Sequence, residues 1–349
     1  MNFARPDIRR MQGYTPGEQP LDKSIIKLNT NENPYPPAPA VEEALQNFNP
    51  ACLRLYPDPL ATGLREEAAR QAGMTTDSIL AGNGSDDLLT IGVRTFVEAG
   101  GLLAFPDPTY SLYPVLARIQ GAEFKKINLT EDFHLPVDLV EQAEDASLLF
   151  IARPNAPTGN AFPQAVIEDV CRRFDGVVWL DEAYADFAED NCLALINRYA
   201  NLIVSRSFSK SYSLAGLRLG LAYAQPHLIN EMLKVKDSYN VNALTQLLGL
   251  KALTNRDWML KNRNKIIATR EYIAAELAKR EFKVIPSESN FIFAEPPIAA
   301  ADYFKKLREQ GVLIRYFPEP PTGKFVRVTI GTDEDMKTFL AVTDRVLKG

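Results

Sequence analysis

Five short apolar runs, at residues 79–81, 102–105, 148–152, 177–180 and 202–205, each end in polar or glycine-rich residues and give way to longer, helix-compatible stretches. Runs of this length suit strands buried on both faces, and their alternation with helices is the pattern of a largely parallel, doubly covered sheet. The chain is therefore read as α/β, with a mostly parallel central sheet, helices on both of its faces and a smaller α+β unit beyond it. That smaller unit reads as a strand at 291–294, a helix at 299–310 stopped by Gly311, strands at 312–316 and 325–330, and a helix at 334–347. Joining the two is the charged stretch 255–280, where Trp258, Ile266, Ile273 and Leu277 share one helical stripe and Asn255 is the expected N-cap.

Length and proline placement sharpen the division. At 349 residues a single core is strained, because cores stop growing near roughly 250–300 residues. Of 24 prolines, ten fall in the first 59 residues, and only Pro226 lies between Gln164 and Ile285. Prolines lack amide donors and push their predecessors out of helical geometry, so residues 1–40 read as an extended arm. The expected organisation is an arm at 1–27 associated with the small domain, a large domain at 28–255 and a small domain at 256–349.

Composition excludes several classes of function. The 39 basic and 44 acidic side chains give a net charge of −5, with no basic block to neutralise a phosphate backbone, so nucleic acid is not an expected partner. No uninterrupted apolar stretch of about 18 residues is present and the first ten residues hold no signal-peptide core, so a cytoplasmic protein without a membrane partner is expected. Three scattered cysteines and two histidines support neither a zinc site nor a histidine-based triad, and no metal is expected.

Ligands of parallel α/β sheets collect at the carboxyl ends of the strands. At the first such edge, Ala81-Gly82-Asn83-Gly84-Ser85-Asp86-Asp87 leads through glycines into a helix start, which suits an anion. It fails as a dinucleotide fingerprint because Asp87 stands at the third glycine position. At the second, the run 177–180 delivers Asp181 to a strand end, followed by Glu182-Ala183-Tyr184. A buried carboxylate must meet a partner, and metal, arginine or a protonated heterocycle would each serve. The third edge decides. Ser207, Ser209, Lys210 and Arg218 together could hold a phosphate and present an amine. With Asp181, they point to pyridoxal 5′-phosphate, whose carbonyl a lysine captures and whose ring nitrogen an aspartate pairs with.

The ordered set Asn31-Glu32-Asn33-Pro34, Tyr56-Pro57-Asp58, Gly82-Asn83-Gly84-Ser85-Asp86, Asp107-Pro108-Thr109-Tyr110, Pro154-Asn155-Ala156-Pro157-Thr158-Gly159, Asp181-Glu182-Ala183-Tyr184 and Ser207-Phe208-Ser209-Lys210 resembles the fold-type-I pyridoxal-phosphate aminotransferases over residues 14–332. Within them it is most similar to the branch that transaminates L-histidinol phosphate, a phosphorylated amino alcohol, against 2-oxoglutarate. The resemblance implies that Lys210 binds the cofactor covalently and moves the substrate α-proton, that Asp181 keeps the ring nitrogen protonated, and that Tyr184 bonds the ring's 3′ oxygen. It places the phosphate on Gly84, Ser85 and Asp86 with Ser207, Ser209 and Arg218, and stacks Tyr110 on the ring. It implies a homodimer with shared sites, Tyr56 reaching the neighbouring subunit's phosphate.

The resemblance also implies that Arg327 clamps an acid group and that Arg315, with Tyr14 and Asn33, adds the second charge a phosphate ester favours. Asn290 and the pair Tyr239-Asn240 are further candidates for the same pocket. One position departs from the pattern: Ala156 stands where many relatives carry the asparagine that contacts the 3′ oxygen, so Asn155 is the candidate to replace it. Rival readings on the same scaffold are a threonine-phosphate decarboxylase, an aromatic amino acid aminotransferase and a non-catalytic cofactor-binding regulatory domain.

Overall fold

The computed structural model describes residues 3–348. Thirteen strands follow one another along those residues: β1 (Ile26–Lys27), β2 (Ile79–Gly82), β3 (Leu102–Asp107), β4 (Glu123–Asn128), β5 (Leu148–Ala152), β6 (Val177–Asp181), β7 (Leu202–Ser207), β8 (Gly220–Ala224), β9 (Lys283–Ile285), β10 (Phe291–Glu295), β11 (Val312–Leu313), β12 (Arg315–Tyr316) and β13 (Val326–Thr329). Seven of them form one sheet in the order β2-β8-β7-β6-β5-β3-β4. All run parallel except β8, which is antiparallel to both of its neighbours.

The apolar runs are continuous because both faces of this sheet are covered. Successive side chains alternate between the faces. Leu149, Ile151, Val178, Leu180 and Val204 thus enter one apolar layer, and Leu148, Phe150, Trp179 and Ile203 the other. The edge strand β4, Glu-Phe-Lys-Lys-Ile-Asn, carries no such run, because only Ile127 is fully buried there. A second sheet, β12-β13-β10-β9, is antiparallel and packs its Ile292, Val326 and Val328 against helices Ala300–Glu309 and Asp333–Lys348.

Three local expectations are corrected. The proline-rich start is not extended throughout: a short helix spans Pro6–Arg10 and another begins at Pro39. Each opens on proline, whose missing amide hydrogen would be unpaired at the first helical position in any case. Asn255 occupies the N-cap position of helix Arg256–Ala278, but its side chain makes no capping bond there; its Nδ2 donates instead to the Lys251 carbonyl at 2.8 Å and closes the preceding helix, Ala243–Thr254. The run 312–316 is two strands rather than one. Val312 and Leu313 pair in parallel with β1 from the chain's start, whereas Arg315 and Tyr316 pair with β13.

Candidate active site

A cavity of about 460 Å³ opens at the carboxyl ends of the central strands, between the two sheets. Its floor is Asp181, the last residue of β6, which is 5% exposed. Tyr113 donates to Asp181 Oδ2 at 3.1 Å and Ser205, its register partner on β7, to Oδ1 at 3.2 Å. Burial drives the carboxyl up to about 6, against these two hydrogen bonds, with the nearby Asp86 charge adding to the rise.

Lys210, just past β7, reaches into the same cavity and donates from Nζ to the Thr30 carbonyl at 3.2 Å. Burial lowers its ammonium to about 8, helped by the Arg327 and Arg218 charges and opposed by Glu32 and Asp86. A primary amine held there keeps a far larger neutral, nucleophilic and basic fraction near neutral pH than a solvated lysine does. The Tyr184 hydroxyl, in the turn after β6, accepts from Asn31 Nδ2 at 2.8 Å.

The anion seat is built from backbone as much as from charge. Gly84 precedes helix Ser85–Phe96 at φ 87°, ψ 169°, a region essentially reserved for glycine. A Cβ there would stand 2.6 Å from Arg218 Nη2. Around that helix start, Arg218 donates to Ser209 Oγ at 3.3 Å and to Asp86 Oδ2 at 3.1 Å, and Tyr110 donates to Asp86 Oδ1 at 3.0 Å. Ser85, Ser207 and Ser209 line the same end.

At the opposite end Arg315 and Arg327 face each other across β12 and β13. Like charges directly opposite on a sheet repel, so a doubly charged anion between them offsets a standing cost. Their present partners are backbone carbonyls: Thr15 for Arg315 at 3.3 Å and Asn29 for Arg327 at 3.0 Å. Arg327 Nε is buried without a hydrogen-bond partner. Tyr14 also lines the cavity, within electrostatic reach of Arg327 and edge-to-face with Tyr110, centroids 5.8 Å apart.

Several expected site residues lie elsewhere. Asn155 is 1% exposed and fully engaged in its own loop: its amide donates to Pro108 O at 3.0 Å and Thr158 Oγ1 at 2.8 Å, and its carbonyl accepts from Thr109 at 2.8 Å. Ala156 faces the cavity instead, so Asn155 does not replace the missing asparagine. Asn33 donates to the carbonyls of Lys210 and Ser211 at 2.9 and 3.1 Å, and Asn290 donates to the Asn31 carbonyl at 3.0 Å; both brace the site from behind. Asn240 is held by Ala81 O and Asp87. Tyr56, expected in the neighbouring subunit's site rather than its own, is 81% exposed and stacks on Tyr239 at 4.4 Å, outside this chain's cavity. Sequence reasoning missed Asn31, Tyr113 and Ser205, which bond the functional side chains directly. A serine inside the buried run of β7, opposite a strand-end aspartate, was the available signal.

Residues 23–342 match the family model for aminotransferase class I and II. The chain belongs to that family. Among its relatives, the histidinol-phosphate aminotransferase of Synechocystis sp. is 44% identical over 337 residues, covering 96% of each chain. That of Syntrophotalea carbinolica is 43% identical with 99% of each covered. The crystal structure of histidinol-phosphate aminotransferase from Sinorhizobium meliloti in complex with pyridoxal 5′-phosphate superposes with a TM-score of 0.91 at 24% identity, covering 100% of this chain and 98% of the other. L-Threonine-O-3-phosphate decarboxylase from Porphyromonas gingivalis shares the fold at a TM-score of 0.82 and 22% identity, covering 93% and 100%.

Enzymes of this family work with pyridoxal 5′-phosphate, and the donor set of this aminotransferase fits that group. The glycine-cleared helix start, two serines and Arg218 suit a phosphate, and Asp181 would suit a protonated ring nitrogen. Lys210, depressed toward neutrality, suits an aldehyde carbon.

Proposed function

We propose that this aminotransferase interconverts L-histidinol phosphate and imidazole acetol phosphate, with 2-oxoglutarate and glutamate as the partner pair in a ping-pong cycle, within histidine biosynthesis. The observation that carries the reading is the facing pair Arg315 and Arg327, with Tyr14 beside it, at the end of the cavity away from the anion seat. A phosphate ester satisfies two guanidiniums, each charge-assisted bond contributing about 1.5–3 kcal/mol. The family shared with relatives named histidinol-phosphate aminotransferase supports the same substrate.

When bound, pyridoxal 5′-phosphate supplies the electron sink that makes the substrate α-proton removable. The chain's own residues do the rest. Lys210 takes and returns that proton, its neutral fraction set by the dry pocket. Asp181 holds a negative charge at the ring-nitrogen end, and Tyr184, oriented by Asn31, bonds the 3′ oxygen. Gly84, Ser85, Asp86, Ser207, Ser209 and Arg218 fix the phosphate, while Tyr110 covers the ring. Arg315, Arg327 and Tyr14 hold the substrate phosphate and the 2-oxoglutarate carboxylates in turn.

The functional unit is a homodimer with shared sites. Leu53, Leu55 and Tyr56 are 59%, 57% and 81% exposed in one chain, an apolar patch that suits burial against a second copy. No helix among the described residues is long and apolar enough to cross a membrane, and a cytoplasmic location is proposed. The deciding experiment is a single-turnover assay of the loaded enzyme against L-histidinol phosphate, histidine, phenylalanine and threonine phosphate. Fastest conversion of histidinol phosphate supports the reading; preference for phenylalanine, or carbon dioxide released from threonine phosphate, ends it. Sharing is tested by mixing Lys210→Ala and Tyr56→Ala subunits, where no recovery of activity after verified exchange counts against it.

A further inference from the structure

Beneath the cavity floor a chain of hydrogen bonds leads away from Asp181 into the core. Trp179 lies two residues before Asp181 on β6 and therefore on the same face, with 0% exposure. Its Nε1 donates to Ser205 Oγ at 3.0 Å, and Ser205 donates its single proton to Asp181 Oδ1 at 3.2 Å. An indole nitrogen can only donate. With Trp179 supplying a proton to Ser205, the serine hydroxyl is polarised and its own proton is directed at the carboxylate. On the other oxygen, Tyr113 donates from a fully buried hydroxyl.

The tryptophan is also seated against the anion end of the site. Helix Ser85–Phe96 crosses its ring at Gly92, where an added Cβ would lie 2.3 Å from Trp179 Cζ3. The helix whose start forms the anion seat thus rests on the side chain that begins the relay.

We propose that Trp179 and Ser205, together with Tyr113, are positioning residues that hold Asp181 ionised and aimed at the cofactor ring nitrogen. Both carboxylate oxygens are committed to donors from the protein before any ligand arrives, leaving the remaining lone pairs for the ring. The relay counters the rise that burial and the Asp86 charge impose on Asp181. Besides Tyr113 and Asp86, Tyr184 lies within electrostatic reach of it.

The test uses the full-length holoenzyme and three variants, Ser205→Ala, Ser205→Thr and Trp179→Phe, with Tyr113→Phe as a parallel arm. Two readouts need no turnover: the pH at which the bound cofactor's visible absorption changes on acidification, and the dissociation constant of pyridoxal 5′-phosphate from the apoprotein. Removing a donor raises the Asp181 pKa, so the acid limb moves to higher pH, by about one unit for Ser205→Ala. Cofactor affinity falls roughly tenfold. Ser205→Thr keeps the hydroxyl and restores both values, which separates the relay from packing. Trp179→Phe shifts the limb in the same direction but less, and adds nothing in the Trp179→Phe/Ser205→Ala double variant, because the tryptophan acts through the serine. An acid limb that stays in place in Ser205→Ala and Tyr113→Phe overturns the proposal, whether or not the melting temperature falls. So does a double variant whose shift is the sum of the singles.

Discussion

The two ends of the cavity are held in different ways. At the floor, Asp181 takes hydrogen bonds from two buried hydroxyls that can serve little else, and Tyr184 takes one from Asn31. At the roof, Arg315 and Arg327 lean on backbone carbonyls, and one buried guanidinium nitrogen has no partner. Side-chain donors inside the core fix geometry before a ligand arrives. Carbonyls at the end of a proline-rich arm leave two positive charges to be matched by whatever enters. The floor therefore suits chemistry common to every substrate, and the roof suits discrimination among them.

The largest effect that can break this division comes from the floor. Lys210→Ala should lower turnover with every amino donor by about 10²–10⁴-fold, the span of a positioned general base, while cofactor binding persists through the anion seat. Stopped-flow rates with two chemically different donors check it: a variant that loses one substrate and keeps another would assign Lys210 to recognition. At the roof, Arg315→Ala should cost roughly 10–100-fold in kcat/KM for the phosphorylated substrate, the worth of a charge-assisted bond, and leave pyridoxal 5′-phosphate affinity unchanged. Equal losses for phosphorylated and unphosphorylated donors would erase the distinction between the ends.

A pH experiment sharpens the floor alone. Lys210 sits near 8, below a free lysine, chiefly because burial penalises its charge. Only the neutral amine attacks the cofactor aldehyde, so loading of apoprotein should slow about tenfold per unit as pH falls below about 8 and level off above it. Absorption-monitored loading rates from pH 6 to 9 measure this. A limb displaced toward the unperturbed lysine value, about 10.4, would mean the amine is solvated rather than dry.

How legible each end was in the sequence follows from the same physics. Strand-end residues announce themselves in combination: an aspartate closing an apolar run can simply cap a turn and a lysine past a strand can simply be solvated, but together with hydroxyls and an arginine at neighbouring strand ends they mark a ligand site. Asp181, Lys210, Ser207 and Ser209 were singled out in this way and line one cavity, and the glycines before Ser85 marked the helix start. The apolar runs likewise exposed the central sheet, because burial on both faces removes polar residues. The charged edge strand β4 left no such trace. Partners contributed from far along the chain stayed hidden: Asn31 meets Tyr184 across 153 positions and Asn290 meets Asn31 across 259. Asparagines near a site are read as ligand contacts by default, and here three of them, Asn33, Asn155 and Asn290, bind backbone or loop.

Asn155 gives the smallest effect on catalysis and the clearest separation of bracing from contact. Its side chain joins the Pro108 carbonyl, Thr109 and Thr158 within two loops that meet at the cavity rim. Asn155→Ala strands these buried groups and should destabilise the fold by about 1–3 kcal/mol, the cost of leaving polar groups unpaired in the core. The cavity face at that point is Ala156, which the substitution does not touch. Turnover and the absorption of the bound cofactor should therefore stay at wild-type values at temperatures where the variant is folded. Thermal unfolding and steady-state kinetics on one preparation give both numbers. A changed cofactor spectrum with unchanged stability would return Asn155 to the cofactor.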